Sequence, residues 1–200
     1  MKRRDYSAGA VSHSFWFMEF RKVVGLLNEG KSLDEIGVMN KEQNIFGSPT
    51  IARANRMFGT ISSRVKMLDE SFCEIFDSLD VASQKLFNLI AIMAYDTLFF
   101  DFVYEVIREK MIIGSNQLED SDIRIFFKNK QLQNEKVAKW TDDTLRKLGS
   151  SYKTMLYEAG VIDKSKDSRM IFRPILDPVM ESWLNNNDME IYVRILSGVR

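Results

Sequence analysis

Cysteine and histidine are almost missing from this 200-residue chain: Cys73 and His13 are the single members of their types. One cysteine excludes an intramolecular disulfide framework. It also excludes a cysteine-based zinc site, and a lone histidine leaves little for a metal to bind. No metal or other cofactor is expected, and the cysteine usage fits a reducing cytoplasm. Proline is scarce as well, at three residues, and glycine at ten. With 45% hydrophobic and 12% aromatic residues, the chain reads as ordered and helical, one domain or two small ones, rather than disordered.

No uninterrupted apolar run is long enough to span a bilayer. The most apolar segment, Leu86 to Ile107, contains Asp96, Asp101 and Glu105. A central carboxylate costs about 2.5–3.5 kcal/mol on insertion scales, so three of them argue against a membrane span. Lys2, Arg3 and Arg4 look like the start of a signal peptide, but Ser7, His13, Ser14, Glu19 and Arg21 interrupt what should follow. A soluble, cytoplasmic protein is the expectation. Enzyme signatures are missing too: no glycine-rich phosphate loop and no G-x-S-x-G elbow. Cys73 beside Phe72 and Phe76 reads as an apolar thiol, and His13 as a capping or surface residue. Asp101, Glu105 and Glu109 share one helix face, where two carboxylates can bind a cation. With Arg108 and Lys110 nearby, that face reads as solvated or ion-paired.

Excess charge of either sign is also missing, because the formal net charge is zero. That zero joins unlike parts. Residues 1–66 carry 11 Lys/Arg against 6 Asp/Glu, residues 67–120 carry 3 against 11, and residues 121–200 carry 14 against 11. Any polyanion contact belongs on the basic ends, since attraction to phosphates is screened within about 8–10 Å.

What is present is helical periodicity nearly throughout. The spacing predicts a first helix over residues 12–28, ended by Gly30. A capping box of Ser32 and Glu35 then opens a short helix, Leu33 to Val38. Ser48 as N-cap and Pro49 at the first helical position open the next one. On it, Ile51, Ala54, Phe58, Ile61, Val65 and Leu68 form an apolar arc, while Arg53, Arg56, Thr60 and Arg64 cluster opposite. A short acidic helix over residues 69–80 follows. Two apolar central helices, Val81 to Tyr95 and Leu98 to Ile113, come next, with Asp96-Thr97 breaking one and capping the other. Ile123 to Lys130 is a short helix. Thr141 caps a helix that Gly160 stops, and a last helix starts near Pro178. The stretch "GVIDKSKDSRMIFRPIL" reads as strand, charged turn over Lys164 to Ser168, and strand.

The fold class is therefore mainly α, a compact multi-helical bundle with a small two-stranded ribbon near the C-terminus. Its expected divisions are residues 1–68 (basic, with a helix-turn-helix), 69–160 (helical core) and 161–200 (ribbon and helix). The ribbon suits a winged-helix element or a plain surface hairpin. In the helix-turn-helix reading, Thr50 and Arg53 face the major groove, while Arg56, Arg64 and Lys66 reach phosphates. The arm of Lys2, Arg3 and Arg4 follows the backbone or enters the minor groove. Lys164, Lys166, Arg169 and Arg173 of the ribbon add cations for phosphates. A preceding loop of roughly ten residues counts against the motif, whose usual turn has about three or four. The bland alternative is a set of solvated basic faces.

The stretches "ARANRMFGTISSRVKML", "FDFVYEVIREKM", "WTDDTLRKLGSSYKTMLYEAGVID" and "IFRPILDPVMESWL" together resemble the BrxA family. Its members are small accessory proteins of bacterial BREX phage-defence systems. The resemblance covers nearly the whole chain and implies an all-helical protein, similar in part to the antitermination protein NusB. It further implies double-stranded DNA binding without catalysis, and it carries over no catalytic residue. Other BREX components are expected partners. A protein–protein adaptor using the acidic middle, or an RNA-binding NusB-like protein, are the competing functions.

Overall fold

The computed structural model describes residues 4–166 and 168–199. The protein is mainly helical, with one two-stranded antiparallel sheet towards the C-terminal end. Among the described residues, no single helix is long and apolar enough to cross a membrane. The chain packs as two compact units. Their sequence boundary lies at Tyr95/Asp96, and the chain up to Ser14 belongs with Asp96 onward. The sequence divisions at residues 68 and 160 follow charge and motif instead, and each falls inside a unit.

The Phe15–Tyr95 unit holds α1 (Phe17–Asn28), α2 (Leu33–Gln43), α3 (Ile51–Val65), α4 (Phe72–Phe76) and α5 (Val81–Tyr95). Its core gathers Phe20, Phe72, Phe76 and Phe87, with ring centroids 5.8–6.3 Å apart. Helix α5 is buried around nearly its whole circumference, which its all-round apolar sequence requires. Its buried amides use their donors: Gln84 donates to the carbonyls of Phe76 and Leu79, and Asn88 to that of Phe15, while Gln84 Oε1 and Asn88 Oδ1 have no hydrogen-bond partner among the described residues. Helix α1 starts at Phe17, later than residue 12. Trp16 is left-handed (φ 50°), and the Phe15 carbonyl accepts from tertiary donors instead of a helical N–H.

The second unit opens with a 3₁₀ turn, Gly9–Val11. From Asp96 it continues with α6 (Thr97–Phe102), a π-helical stretch Val103–Arg108, and α7 (Glu109–Ile112). Then come β1 (Gln117–Glu119), α8 (Asp120–Gln133), α9 (Glu135–Ala138), α10 (Asp142–Glu158), β2 (Ser168–Met170), α11 (Pro178–Asn186) and α12 (Glu190–Ser197). The expected caps are in place: Asp96 accepts from Leu98 and Phe99 N–H, and Thr141 from Thr144; the helix expected near Pro178 is capped by Asp177, which accepts from Val179 N–H. Tyr152 is the hub of the core, with Phe99, Phe102 and Phe127 around it at 4.9–5.8 Å. Helix α12 had no counterpart in the sequence reading.

The sheet differs from the expected hairpin in its partner strand. β2 pairs with β1 in antiparallel register, Leu118 opposite Arg169. The first arm of the expected hairpin is reduced to a single bridge, Ile162 to Ile171. Residues 168–172 therefore run between β1 and residues 161–163. Three helices, α8, α9 and α10, separate β1 from these returning segments.

Candidate nucleic-acid interface

The α2–α3 pair is tighter than its sequence suggested. The capping box forms as expected, with Glu35 N–H donating to Ser32 Oγ and Ser32 N–H to the Glu35 carboxylate. Helix α2 runs on to Gln43, leaving residues 44–50 as the connection. Asn44 clamps that connection by accepting from Ser48 N–H at 2.9 Å and donating to Ser48 O at 2.7 Å. Thr50, not Ser48, is the N-cap: its hydroxyl accepts from Arg53 N–H at 3.2 Å, so Pro49 lies outside the helix. Gly37 lets the helices close up, since a Cβ there would come within 2.9 Å of the Phe58 ring. Asn40 donates across the pair to Asn55 at 3.2 Å.

Arg53 and Arg56 stand exposed on the first turns of α3, and neither forms an ion pair among the described residues. No Asp or Glu occurs between Glu42 and Asp69. Lys66 is exposed at the far end of the same helix. Arg64 corrects the sequence reading. It is 1% exposed, its Nη1 donates to Phe15 O at 3.0 Å, and its guanidinium lies 5.6 Å from the Trp16 ring centroid. Thr60 is buried too. The polar arc of α3 thus faces water in its first half only, because the Phe15–Trp16 segment covers the second. Arg64 is withdrawn from any phosphate.

In the second unit the ribbon cations also divide. Lys164 and Lys166 are exposed at the turn. Arg169 is paired with Asp120 at 3.2 Å, and Arg173 donates to the Met111 carbonyl at 3.2 Å. Lys153 joins the same carboxylate at 2.8 Å, and these contacts hold Asp120 below the usual carboxylate range. Lys2 and Arg3 lie outside the described residues. Arg4 N–H donates to Thr97 Oγ1 at 3.0 Å, and Tyr6 Oη donates to Asp101 at 2.5 Å. Arg4 and Tyr6 are thereby anchored in the unit that carries the ribbon. The sequence reading overlooked the outward side of α10, where Arg146, Lys147, Ser150 and Thr154 are exposed. Arg146 and Lys147 both pair with Asp143. The signal was present in "WTDDTLRKL", a capped helix start followed by two cations.

The carboxylates of the central helices are drawn into ion pairs. Asp101 is buried, and Lys130 joins it to Glu105 at 3.2 and 2.6 Å. Glu109 pairs with Arg108, and Lys110 with Asp122. Most of the acidic middle in this unit is therefore neutralised, and its exposed carboxylates concentrate over residues 69–80 of the other unit. Among the described residues no cluster of three His, Cys, Asp or Glu could hold a metal. Burial, then the nearby charges of Asp77 and Glu70, pushes the Cys73 thiol up to about 11, the reverse of what a nucleophile needs.

Comparison with known proteins places this geometry in a family. The BrxA family model matches residues 4–188. A BREX protein BrxA from Bacillus cereus (strain H3081.97) is 36% identical over 99% of both chains. A crystal structure of an uncharacterized protein from Magnetospirillum magneticum superposes with a TM-score of 0.81 at 20% identity, covering 98% of this chain and 100% of that one, a likeness of fold. The chain belongs to the BrxA family, whose members are components of BREX phage-defence systems.

Proposed function

We propose that this protein is a non-enzymatic, cytoplasmic component of a BREX system that binds double-stranded DNA through its phosphates. The observation that carries the reading is the start of α3: Arg53 and Arg56, exposed and without ion pairs, in a stretch free of carboxylates. Helix α3 packs against α2 through Gly37 and the Asn40–Asn55 bond, so its first turn is held rigidly for a groove. Lys66 lies too far along the helix for that groove and serves a phosphate. Thr50 keeps its place at the entry, but its hydroxyl already caps the helix. In the second unit, Lys164 and Lys166 would take the wing position of a winged helix, with α10 as its groove-facing helix. Each phosphate neutralised releases counterions, so affinity falls steeply with salt.

Gel shifts on a duplex at low and moderate salt test the reading. Arg53→Ala with Arg56→Ala is expected to weaken binding about tenfold and to reduce the salt slope by about two. Thermal unfolding should stay unchanged, because both positions are exposed. Absence of binding at low salt would overturn the reading. Normal binding by the double variant would move the site to the wing. Competition with single-stranded and structured RNA separates duplex DNA from the RNA-binding alternative.

A further inference from the structure

Between α8 and α10, inside the second unit, runs a groove of about 760 Å³. Gly149 lets α10 close onto α8 at its base, where a Cβ would come within 2.9 Å of Ile123 Cγ2. The floor is apolar, with Phe127 and Leu145, and one wall is Ile125, which is 60% exposed. Seven residues on, Leu132 is 77% exposed on the same side of α8. Arg124 and Lys128 lie on the rim one helical turn apart, exposed and without ion pairs among the described residues. The opposite rim cations, Arg146 and Lys153, are occupied by Asp143 and Asp120.

We propose that this groove receives an amphipathic helix of another protein, apolar on the entering side and acidic along its flank. Duplex DNA offers little to cover two large aliphatic side chains, because its exposed backbone is charged and protein–DNA interfaces are correspondingly polar. A helix laid in a groove buries such residues with its i, i+3, i+4 and i+7 side chains. The one-turn separation of Arg124 and Lys128, about 5–6 Å between Cβ atoms, matches two carboxylates four residues apart on the incoming helix. The apolar anchors hold the partner and the two cations set its register and choose its charge. The most acidic stretch of a second copy does not supply such a helix. In its acidic stretch, residues 69–80, Phe72, Phe76 and Leu79 are buried, so that stretch offers carboxylates without an apolar face. The site is separate from Arg53, Arg56 and the wing, shares Arg146 and Ser150 with the outward side of α10, and does not rest on DNA binding.

The test uses the full chain and a displayed library of helical peptides, randomised at apolar and charged positions. Selected peptides should carry large aliphatic residues at helical spacing with Asp or Glu four apart. Ile125→Asp should weaken the best synthetic peptide about tenfold or more in fluorescence anisotropy, without changing thermal unfolding. Arg124→Glu with Lys128→Glu should do the same, and a peptide with Lys in place of its acids should restore binding to that variant. Three outcomes overturn the proposal. Peptides are recovered without acidic preference or sensitivity to these changes, or none is recovered. Ile125→Asp abolishes a concentration-dependent dimer, which assigns the groove to a second copy. Ile125→Asp abolishes the duplex gel shift, which assigns it to nucleic acid.

Discussion

Arg64 in the Phe15–Tyr95 unit and Lys130 in the other unit are both cations withdrawn from water, held by different chemistry. Arg64 uses its planar fork, donating to a backbone carbonyl while its face lies near an indole. Lys130 is a compact charge and sits between two carboxylates, Asp101 and Glu105, with the Tyr6 and Phe126 rings near its ammonium. The planar, weakly hydrated guanidinium can bond a carbonyl in its plane and meet a ring on its face, a geometry the compact ammonium does not have. Neither cation is available to a ligand. A count of basic residues therefore overstates the basic surface in both units.

Removing Lys130 should break the comparison most severely. Lys130→Met takes the ammonium away from the buried Asp101 carboxylate and from Glu105, and should cost about 3–5 kcal/mol in denaturant unfolding. A loss below about 1 kcal/mol would mean that the cluster is solvated. The same contribution should fade in alkali. Burial alone would lower the Lys130 pKa, but the Glu105 and Asp101 carboxylates outweigh it and raise it. Burial and the bond to Asp101 raise that of Tyr6 as well. A raised folded-state pKa gives stability that is complete below the unfolded value and lost as pH climbs through the folded one. The gap between wild type and Lys130→Met should therefore hold at neutral pH and shrink above about pH 10.5. A gap that widens there would contradict the assignment.

Next in size, Arg64→Ala should cost about 2–4 kcal/mol, from a lost charge-assisted hydrogen bond and the cavity left behind. Arg53→Ala and Arg56→Ala, on the same helix, should each stay within about 0.5 kcal/mol. Equal effects at all three positions would erase the distinction between the two halves of α3. The smallest expected change is a gain. The Tyr152 hydroxyl is buried without a hydrogen-bond partner among the described residues, and burial, with Asp96 and Asp101, holds its pKa well above the usual value. Tyr152→Phe should stabilise the protein by about 1 kcal/mol, read as a higher unfolding temperature.

Much of the fold was legible because its signals are local. The Ser32–Glu35 box, the Asp96 and Thr141 caps and the Asp177-Pro178 start each act within three residues. The candidate site was legible in part. Arg53 and Arg64 fall about 20° apart on a helical wheel, so periodicity treats them alike. A wheel carries no information about a segment lying across one end of a helix, and Phe15–Trp16 does so here. Asp101 and Glu105 are ion-paired, but Asp101 is buried rather than on a solvated face, and their partner is Lys130 of α8 instead of the neighbouring Arg108 or Lys110.

By itself, the sequence determined the helical class, most helix starts, the uneven charge along the chain and membership of the BrxA family. Tertiary structure alone decided which cations face water, which strand pairs with Ser168–Met170, and where Arg4 is anchored. The Arg64–Phe15 bond spans 49 positions, the Lys130–Asp101 pair 29 and the Arg4–Thr97 bond 93. Caps and periodicity are energies of adjacent residues and can be read along the chain. Burial of a charge depends on which distant segment closes over it, and closure of such long loops is settled by the packing of the whole unit.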